Sequence, residues 1–347
     1  MNRVLVAGAS GYAGALAAEL LRRHPSLELA RVTARTDTGR RLSELYPQYG
    51  VDLVLDEPTA EDGADVDAAI VAYPHGVAAP VVAALHERGT KVVDLSADFR
   101  LHDLAAYAQW YGEHGAPELV PDAVYGLPEL HREAIADADL VANPGCYPTA
   151  SLLALAPLAA EGLIEDVVID AKSGVSGAGR AAAEEMAIVK ESDDTKPYKV
   201  TGHRHTPEIA QELGELAGTN TNRVAPNGAP SHQKPGAVTF VPHLMPYDQG
   251  ELVSCYVRTS DPVDISQLLD LYEKRYGDEA FVEVTSEPPG VSGVRETNLC
   301  RIHLAQNEAS GRVMAFASID NLWKGAASQA IQNLNLMLGL PEGQGIS

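Results

Sequence analysis

The sequence predicts two domains: a parallel, doubly wound α/β domain first, and an α+β domain after it. Three observations carry this. The chain has 347 residues, long for a single core. Its start runs from a buried-strand pattern, Arg3 to Ala7, through Gly8-Ala9-Ser10-Gly11-Tyr12-Ala13-Gly14 into a helical pattern from Ala15 to His24. From about Val167 the strict alternation of strands and helices ends, and strands of alternating polarity take over.

Strand, glycine turn and helix in that order make a dinucleotide site. Glycines let the backbone approach a pyrophosphate, and the helix N-terminus supplies donors and positive potential. Gly8, Ser10, Gly11, Tyr12, Ala13 and Gly14 are therefore the candidate cofactor contacts of a Rossmann domain. The spacing is GxxGxxG rather than GxGxxG, so the motif alone also allows a tight turn without a ligand. The next strand, Leu27 to Ala34, ends in Ala34-Arg35-Thr36, without the carboxylate that holds the ribose hydroxyls of NAD. Arg35, with Arg40 and Arg41 nearby, suits a 2′-phosphate, so NADP(H) is the expected cofactor. The alternative is that these arginines solvate a loop.

Further strands, Val66 to Ala72 and Lys91 to Leu95, flank a helix from Val77 to Arg88 that Gly89 stops. His75, after the first of these strands, reads as a loop residue. Arg100, after the second, either clamps an anionic substrate group or pairs with Asp98 or Asp103 on an exposed loop. The strand Asp139 to Ala142 then delivers Asn143-Pro144-Gly145-Cys146-Tyr147-Pro148-Thr149. Gly145 permits a bend and Pro148 suits the start of a helix, which places Cys146 at or just before a helix N-terminus. Such a position can bring a thiol pKa from about 8.5 towards roughly 3.5–7.5 and make it a nucleophile. Those seven residues alone fit a small buried cysteine equally well.

In the second domain, Lys172 to Arg180 is another glycine-rich loop leading into a helical pattern from Ala181. Ser176 and Gly177 there either hold a phosphate or the cofactor's ribose, or belong to a flexible turn. Within Lys199 to Ile209, Thr206 can cap a helix that begins at Pro207, so His203 and His205 would precede it and face one pocket from an extended segment. No third ligand of suitable spacing supports a metal, and the pair reads as acid/base or structural. Gly218 to Gly236 has the composition of a long surface loop. Strands are expected over Ala237 to Pro242, Leu252 to Thr259, Phe281 to Thr285, Leu299 to Leu304 and Val313 to Ile319, with His243 in a turn and a helix from Val263 to Tyr276. Asp320 to Gly325 opens a last helix, Ala326 to Leu338, placed to fold back over the first domain.

Composition narrows the partners. There are 48 acidic against 26 basic residues, a formal net charge of -22, which repels nucleic acid and anionic membranes and fits either ordinary solubility or a salt-rich setting. Cys146, Cys255 and Cys300 are too few for a disulfide framework, which points to the cytoplasm; the last two read as strand packing. The most apolar segment, Ala150 to Ala160, contains Pro157 and falls far short of the ~20 residues a membrane span needs.

Seven stretches in order, Gly8 to Gly14, Asp94 to Leu101, Tyr125 to Leu130, Asn143 to Thr149, Lys172 to Arg180, His203 to Ile209 and Asp320 to Gln332, closely resemble the N-acetyl-gamma-glutamyl-phosphate reductase family of arginine biosynthesis. The resemblance spans nearly the whole chain. It implies an NADP-binding Rossmann domain over residues 1–146, completed by a C-terminal segment at 322–347, and over 147–321 a catalytic and oligomerisation domain like those of semialdehyde and glyceraldehyde-phosphate dehydrogenases. It further implies a homodimer or homotetramer, Cys146 as nucleophile and His205 as acid/base. Arg100, His203 and Glu208 would lie around an acyl phosphate, and Asn321 would join the cofactor contacts. Inorganic phosphate would be released in the reductive direction. Two features depart from the family's pattern: the polar stretch Gly218 to Gly236, and Gln249 where a basic residue commonly precedes the glycine. They leave open a glutamyl or aminoadipyl phosphate on a carrier protein, or aspartyl phosphate, as substrate. A binding protein that senses NADP without catalysis is the reading from another class.

Overall fold

The computed structural model describes residues 1–59, 62–182, 190–191, 193–218 and 237–346. The alanine-rich run beyond Ala182 and the loop expected up to Gly236 fall largely outside these residues. The chain divides into two compact units, one of Met1–Gly145, Ala178–Glu184 and Leu322–Ser347, the other of Cys146–Gly177 and Glu185–Asn321.

The first unit holds β1 (Asn2–Ala7), α1 (Tyr12–Arg23), β2 (Leu27–Thr33), α2 (Leu42–Leu45), β3 (Ala68–Val71), α3 (Ala79–His86), β4 (Lys91–Asp94), α4 (Leu104–Tyr111), β5 (Val124–Tyr125), α5 (Pro128–Asp137) and β6 (Leu140–Ala142). The strands form one parallel sheet in the order β2-β1-β3-β4-β6-β5. Continuous apolar runs such as Val4 to Ala7 are buried on both faces, as a sheet covered by helices on both sides requires. The sequence pattern does not reveal β5, with only two residues, or α4, which starts where the Asp103 carboxylate accepts from the N–H groups of Ala105 and Ala106. At the chain's end a π-helical turn, Trp323–Ala327, leads into the helix Ser328–Met337, which packs on α1 and α5. That helix buries Gln329 and Asn333, and both side-chain amides donate to the Gly126 carbonyl, at 3.0 and 2.8 Å.

The second unit begins with α6 (Cys146–Ala160), followed by β7 (Ile164–Ser173), β8 (Lys196–Pro197), α7 (His205–Gly218), β9 (Ala237–Leu244), β10 (Glu251–Thr259), α8 (Ile265–Tyr276), β11 (Val282–Val284), β12 (Cys300–Gln306) and β13 (Val313–Ile319). Its mixed sheet runs β11-β12-β13-β10-β7-β9-β8. Helix α6 lies against β10, β13 and α7 and is buried from Tyr147 to Ala159. Pro157 within it has no N–H for the Leu153 carbonyl, and the Tyr276 hydroxyl of α8 donates to that carbonyl at 2.7 Å. Cys255 and Cys300 are buried on β10 and β12, neither in a disulfide. His243 corrects the sequence reading: it lies within β9, paired with Lys172 of β7, and its Nδ1 is 3.1 Å from Asp170 Oδ1. The ladder to β7 carries the strand past Pro242, two residues further than its composition indicates. Among the described residues no helix is long and apolar enough to cross a membrane.

Candidate active site

In the first unit the loop between β1 and α1 leaves no room for a side chain at two of its glycines. A Cβ on Gly8, whose φ is +95°, would lie 2.6 Å from the Ala72 carbonyl oxygen, and one on Gly14 would lie 2.4 Å from the Gly8 oxygen. Gly11 is the N-cap of α1, where no side chain caps the helix and no acidic residue occupies the first turn. The Ser10 carbonyl accepts from the Tyr46 hydroxyl at 2.9 Å and from Arg180 at 3.0 Å, while the Ser10 and Thr36 hydroxyls are 3.1 Å apart. Arg35 is exposed beyond β2, its guanidinium 5.3 Å from the Tyr73 ring centroid. Asp37, the first carboxylate beyond that strand, is taken up by Arg180 at 2.7 Å and Arg40 at 3.1 Å, and the Arg180 hydrogen bond holds it below the usual carboxylate range. Two glycines that admit no side chain, an uncapped helix start and an exposed arginine beside a neutralised aspartate fit a dinucleotide with a 2′-phosphate.

In the second unit Cys146 is the first residue of the 15-residue helix α6 and is partly exposed. Tyr147 beside it packs edge-on against His203, His205 and Phe240, with ring centroids 6.0, 5.9 and 5.2 Å away. The two imidazoles are 4.8 Å apart. They converge differently from the sequence reading: the backbone before α7 turns instead of extending, and α7 starts at His205, so only His203 precedes it. Pro207 in the first turn costs no hydrogen bond, which lets the helix begin before it. His203 Nδ1 accepts the His205 backbone N–H at 3.2 Å. Burial, aided by the charges of Lys199 and Arg204, lowers the His203 pKa to about 3 and keeps its ring neutral. Burial also raises the neighbouring phenols, Tyr198 to about 12.

Glu208 is buried one turn into α7, on the His205 side of the helix. Ser176, Gly177 and Asn321 meet in one cluster: Asn321 Nδ2 donates to Ser176 Oγ at 2.9 Å, Ser176 Oγ donates to the Asp248 carbonyl at 2.6 Å, and a Cβ on Gly177 would lie 3.5 Å from Asn321 Nδ2. The second glycine loop is thus pinned to the turn before β10, with Gly174 N donating to the Gly250 carbonyl at 2.9 Å. Arg100, in the first unit, is not an exposed loop residue. It is buried, donating from Nε to the Asn143 carbonyl and from Nη2 to the Leu95 carbonyl, both at 2.8 Å. The Asp98 carboxylate accepts from Gly76 N, Ala79 N and the Tyr107 hydroxyl.

Sequence reasoning missed Glu251. It is fully buried at the start of β10, and burial first, with Asp320 nearby, raises its pKa to about 8. The signal was present: Glu251 shares its strand face with Val253, Cys255 and Val257, a carboxylate on an otherwise apolar face. Among the described residues no group of three or more His, Cys, Asp or Glu side chains is arranged to hold a metal.

Comparison with known proteins agrees with this layout. A family model described as semialdehyde dehydrogenase, NAD binding domain, matches residues 3–138, and one described as semialdehyde dehydrogenase, dimerisation domain, matches 146–321. Aspartate semialdehyde dehydrogenase II from Vibrio cholerae, solved in complex with ASA, superposes with a TM-score of 0.73 at 18% identity over 98% of both chains. The Candida albicans aspartate semialdehyde dehydrogenase with NADP superposes at 0.70 and 15% identity, covering 97% of this chain and 98% of that one. N-acetyl-gamma-glutamyl-phosphate reductase of Dehalococcoides mccartyi is 45% identical over 340 residues, 97% of this chain and 95% of that one. The Moorella thermoacetica protein of that name is 44% identical over 352 residues, 99% and 97% of the two chains. With this identity sustained from end to end, the chain belongs to the N-acetyl-gamma-glutamyl-phosphate reductase family of the semialdehyde dehydrogenases.

Proposed function

We propose that this chain catalyses the NADPH-dependent reductive dephosphorylation of N-acetyl-gamma-glutamyl phosphate to N-acetylglutamate 5-semialdehyde, a step of arginine biosynthesis. The observation that carries the chemistry is a partly exposed thiol at the N-terminus of a buried helix, in the same unit as a pair of packed imidazoles. The helix N-terminus favours the Cys146 thiolate, which attacks the acyl carbon. The C–O bond to phosphate breaks, inorganic phosphate leaves, and the acyl group stays on sulfur as a thioester. The cofactor, when bound, supplies the hydride that reduces this thioester.

Gly8, Ser10, Gly11, Tyr12, Ala13 and Gly14 hold the pyrophosphate, Arg35 the 2′-phosphate, and the cluster of Ser176, Gly177 and Asn321 supports the cofactor from the second glycine loop. His205 is the acid/base on the substrate oxygen. His203 stays neutral with Nδ1 already accepting, so its Nε2–H is the donor available to substrate. Glu208, buried one turn into α7, lies with His203 around the substrate. Arg100 fixes the Asn143 carbonyl three residues before the nucleophile and contributes positive charge for the substrate's anionic groups. The chain acts as a homodimer or homotetramer in the cytoplasm.

The test is phosphate-dependent reduction of NADP with N-acetylglutamate semialdehyde, followed by the absorbance of the reduced nicotinamide. The wild-type protein should turn over only with phosphate, and Cys146→Ser should lose activity by at least roughly 10³-fold while still binding NADP. Activity surviving in Cys146→Ser would refute the thioester route. NADP binding without turnover in the wild type would move the substrate to aspartyl phosphate or a carrier-bound acyl phosphate.

A further inference from the structure

Glu251 takes no part in the chemistry above, yet it lies beside the reacting sulfur. Its strand position is fixed on both sides, opposite Ser173 of β7 and Ile319 of β13. The residue before it, Gly250, has a φ of +114°, donates to Asn321 Oδ1 at 2.8 Å, and has no room for a Cβ, which would lie 2.6 Å from Val291 Cβ. The backbone that carries the carboxylate is therefore held in place. Both carboxylate oxygens are buried without a hydrogen bond of full geometry. A buried carboxylate left in that state is costly unless it stays protonated or shares a proton.

Two side-chain donors act on it, the Ser173 hydroxyl and the Cys146 thiol. The Ser173 hydroxyl donates to the Gly174 carbonyl at 3.1 Å, so its proton is committed. Cys146 remains. Helix α6, which carries Cys146 at its first residue, packs directly on β10.

We infer that Glu251 is the proton partner of the Cys146 sulfur: the two share one proton and one negative charge, and in the reactive form the proton lies on the carboxylate and the charge on sulfur. The inference rests on the reading of Cys146 as nucleophile. The exchange is balanced within the pair, since the S–H bond breaks, an O–H bond forms on Glu251, and no proton leaves the site. Two influences push the same way. The α6 N-terminus stabilises charge on sulfur, while burial and the nearby Asp320 carboxylate penalise charge on Glu251. The acid O–H then donates to the thiolate, and does so again when sulfur is expelled as the semialdehyde leaves. His205 serves the substrate oxygen, and Glu251 serves the sulfur.

The tyrosines facing Glu251 stay protonated at neutral pH and do not compete for this proton. Tyr147 on α6, Tyr198 after β8 and Tyr247 before β10 all act on it or are acted on by it, and burial raises each above its ordinary value, the last two to about 12. Arg295 lies over the Tyr247 ring at 5.5 Å, and Asp320 Oδ2 accepts from Glu296 N at 2.8 Å.

The experiment is alkylation of Cys146 by iodoacetamide in the full-length protein as a function of pH, quantified by mass spectrometry of the labelled cysteine. A shared proton makes the two ionisations macroscopic, so the wild-type rate should rise in two steps, and Glu251→Gln, which keeps size but cannot exchange a proton, should give one. In parallel, kcat/KM of Glu251→Gln should fall by about tenfold or more at neutral pH. Two steps persisting in a folded Glu251→Gln protein, or a single step in the wild type, would overturn the inference. Should Glu251→Gln not fold, the wild type suffices. The infrared carbonyl band of its buried carboxylic acid must shift when Cys146 is alkylated, and an unmoved band overturns the pairing. The Cys146→Ser assay separates the two readings: activity there removes the nucleophile itself, whereas an inactive Cys146→Ser beside an unchanged Glu251→Gln profile removes only the proton partner.

Discussion

At the scale of single residues, the environment of the second unit decides protonation more than residue type does. His203 illustrates the sign. Its folded pKa, about 3, lies below the ordinary 6.5, so it costs nothing above pH 6.5. As the pH falls from 6.5 towards 3 the unfolded chain binds a proton that the folded ring refuses, and stability declines by an amount on the order of a few kcal/mol. His203→Asn should therefore show a flatter dependence of Tm on pH between pH 7 and pH 4 than the wild type, measured by thermal melts across that range. Equal slopes in the two proteins would show that the ring is not held neutral. Cys146 was legible because proline, glycine and a following apolar helix are local signals. The neutrality of His203 was not, since it arises from Phe240, Tyr147 and Tyr198, which reach it from other segments.

Among elements, the β1–α1 connection shows how two glycines of one motif differ in kind. A Cβ at Gly14 meets fixed backbone at 2.4 Å, whereas at Gly11 the nearest atom is 3.7 Å away. Gly14→Ala should cost roughly 1–3 kcal/mol and weaken NADP binding by about tenfold or more, because the loop must lift off the helix. Gly11→Ala should melt within a few degrees of the wild type. Melting curves and a fluorescence titration with NADPH decide both, and equal destabilisation by the two variants would contradict the cradle geometry. The motif announced three glycines; which of them the packing requires depends on Ala72 and on the loop's own return, and neither is contained in the spacing.

Over the whole molecule, a polar contact ties the C-terminal segment into the first unit. Lys324 Nζ lies 2.6 Å from Glu129 Oε1 and 2.8 Å from Gln332 Oε1, and both charged side chains are fully buried. Burial opposes the ionisation of Glu129, and the Lys324 charge and hydrogen bond outweigh it, leaving its pKa below the ordinary value. Lys324→Met should destabilise the protein by about 3–5 kcal/mol by stranding the carboxylate. Adding Glu129→Gln should recover a large part of that loss, as read from urea midpoints. A single Lys324→Met variant as stable as the wild type would show that the pair does not hold the segment. The sequence placed a helix here, and its Gln329, Gln332, Asn333 and Asn335 are all buried.

The sequence by itself determined the parallel first sheet, the glycine turn, the absence of a carboxylate at the end of β2 and the cysteine at a helix start. Each is a local matter of periodicity, backbone freedom or a missing carboxylate, and such signals survive without coordinates. Tertiary structure alone decided that α7 opens at His205, that His243 is a strand residue and that Arg100 is buried against the Asn143 carbonyl. It also decided that Glu251 is buried at the start of β10, where the Cys146 side chain acts on it. These depend on which distant segments remove water from a group or offer it a hydrogen bond. Burial and hydrogen bonding are set by the packed chain, and no window of sequence records them.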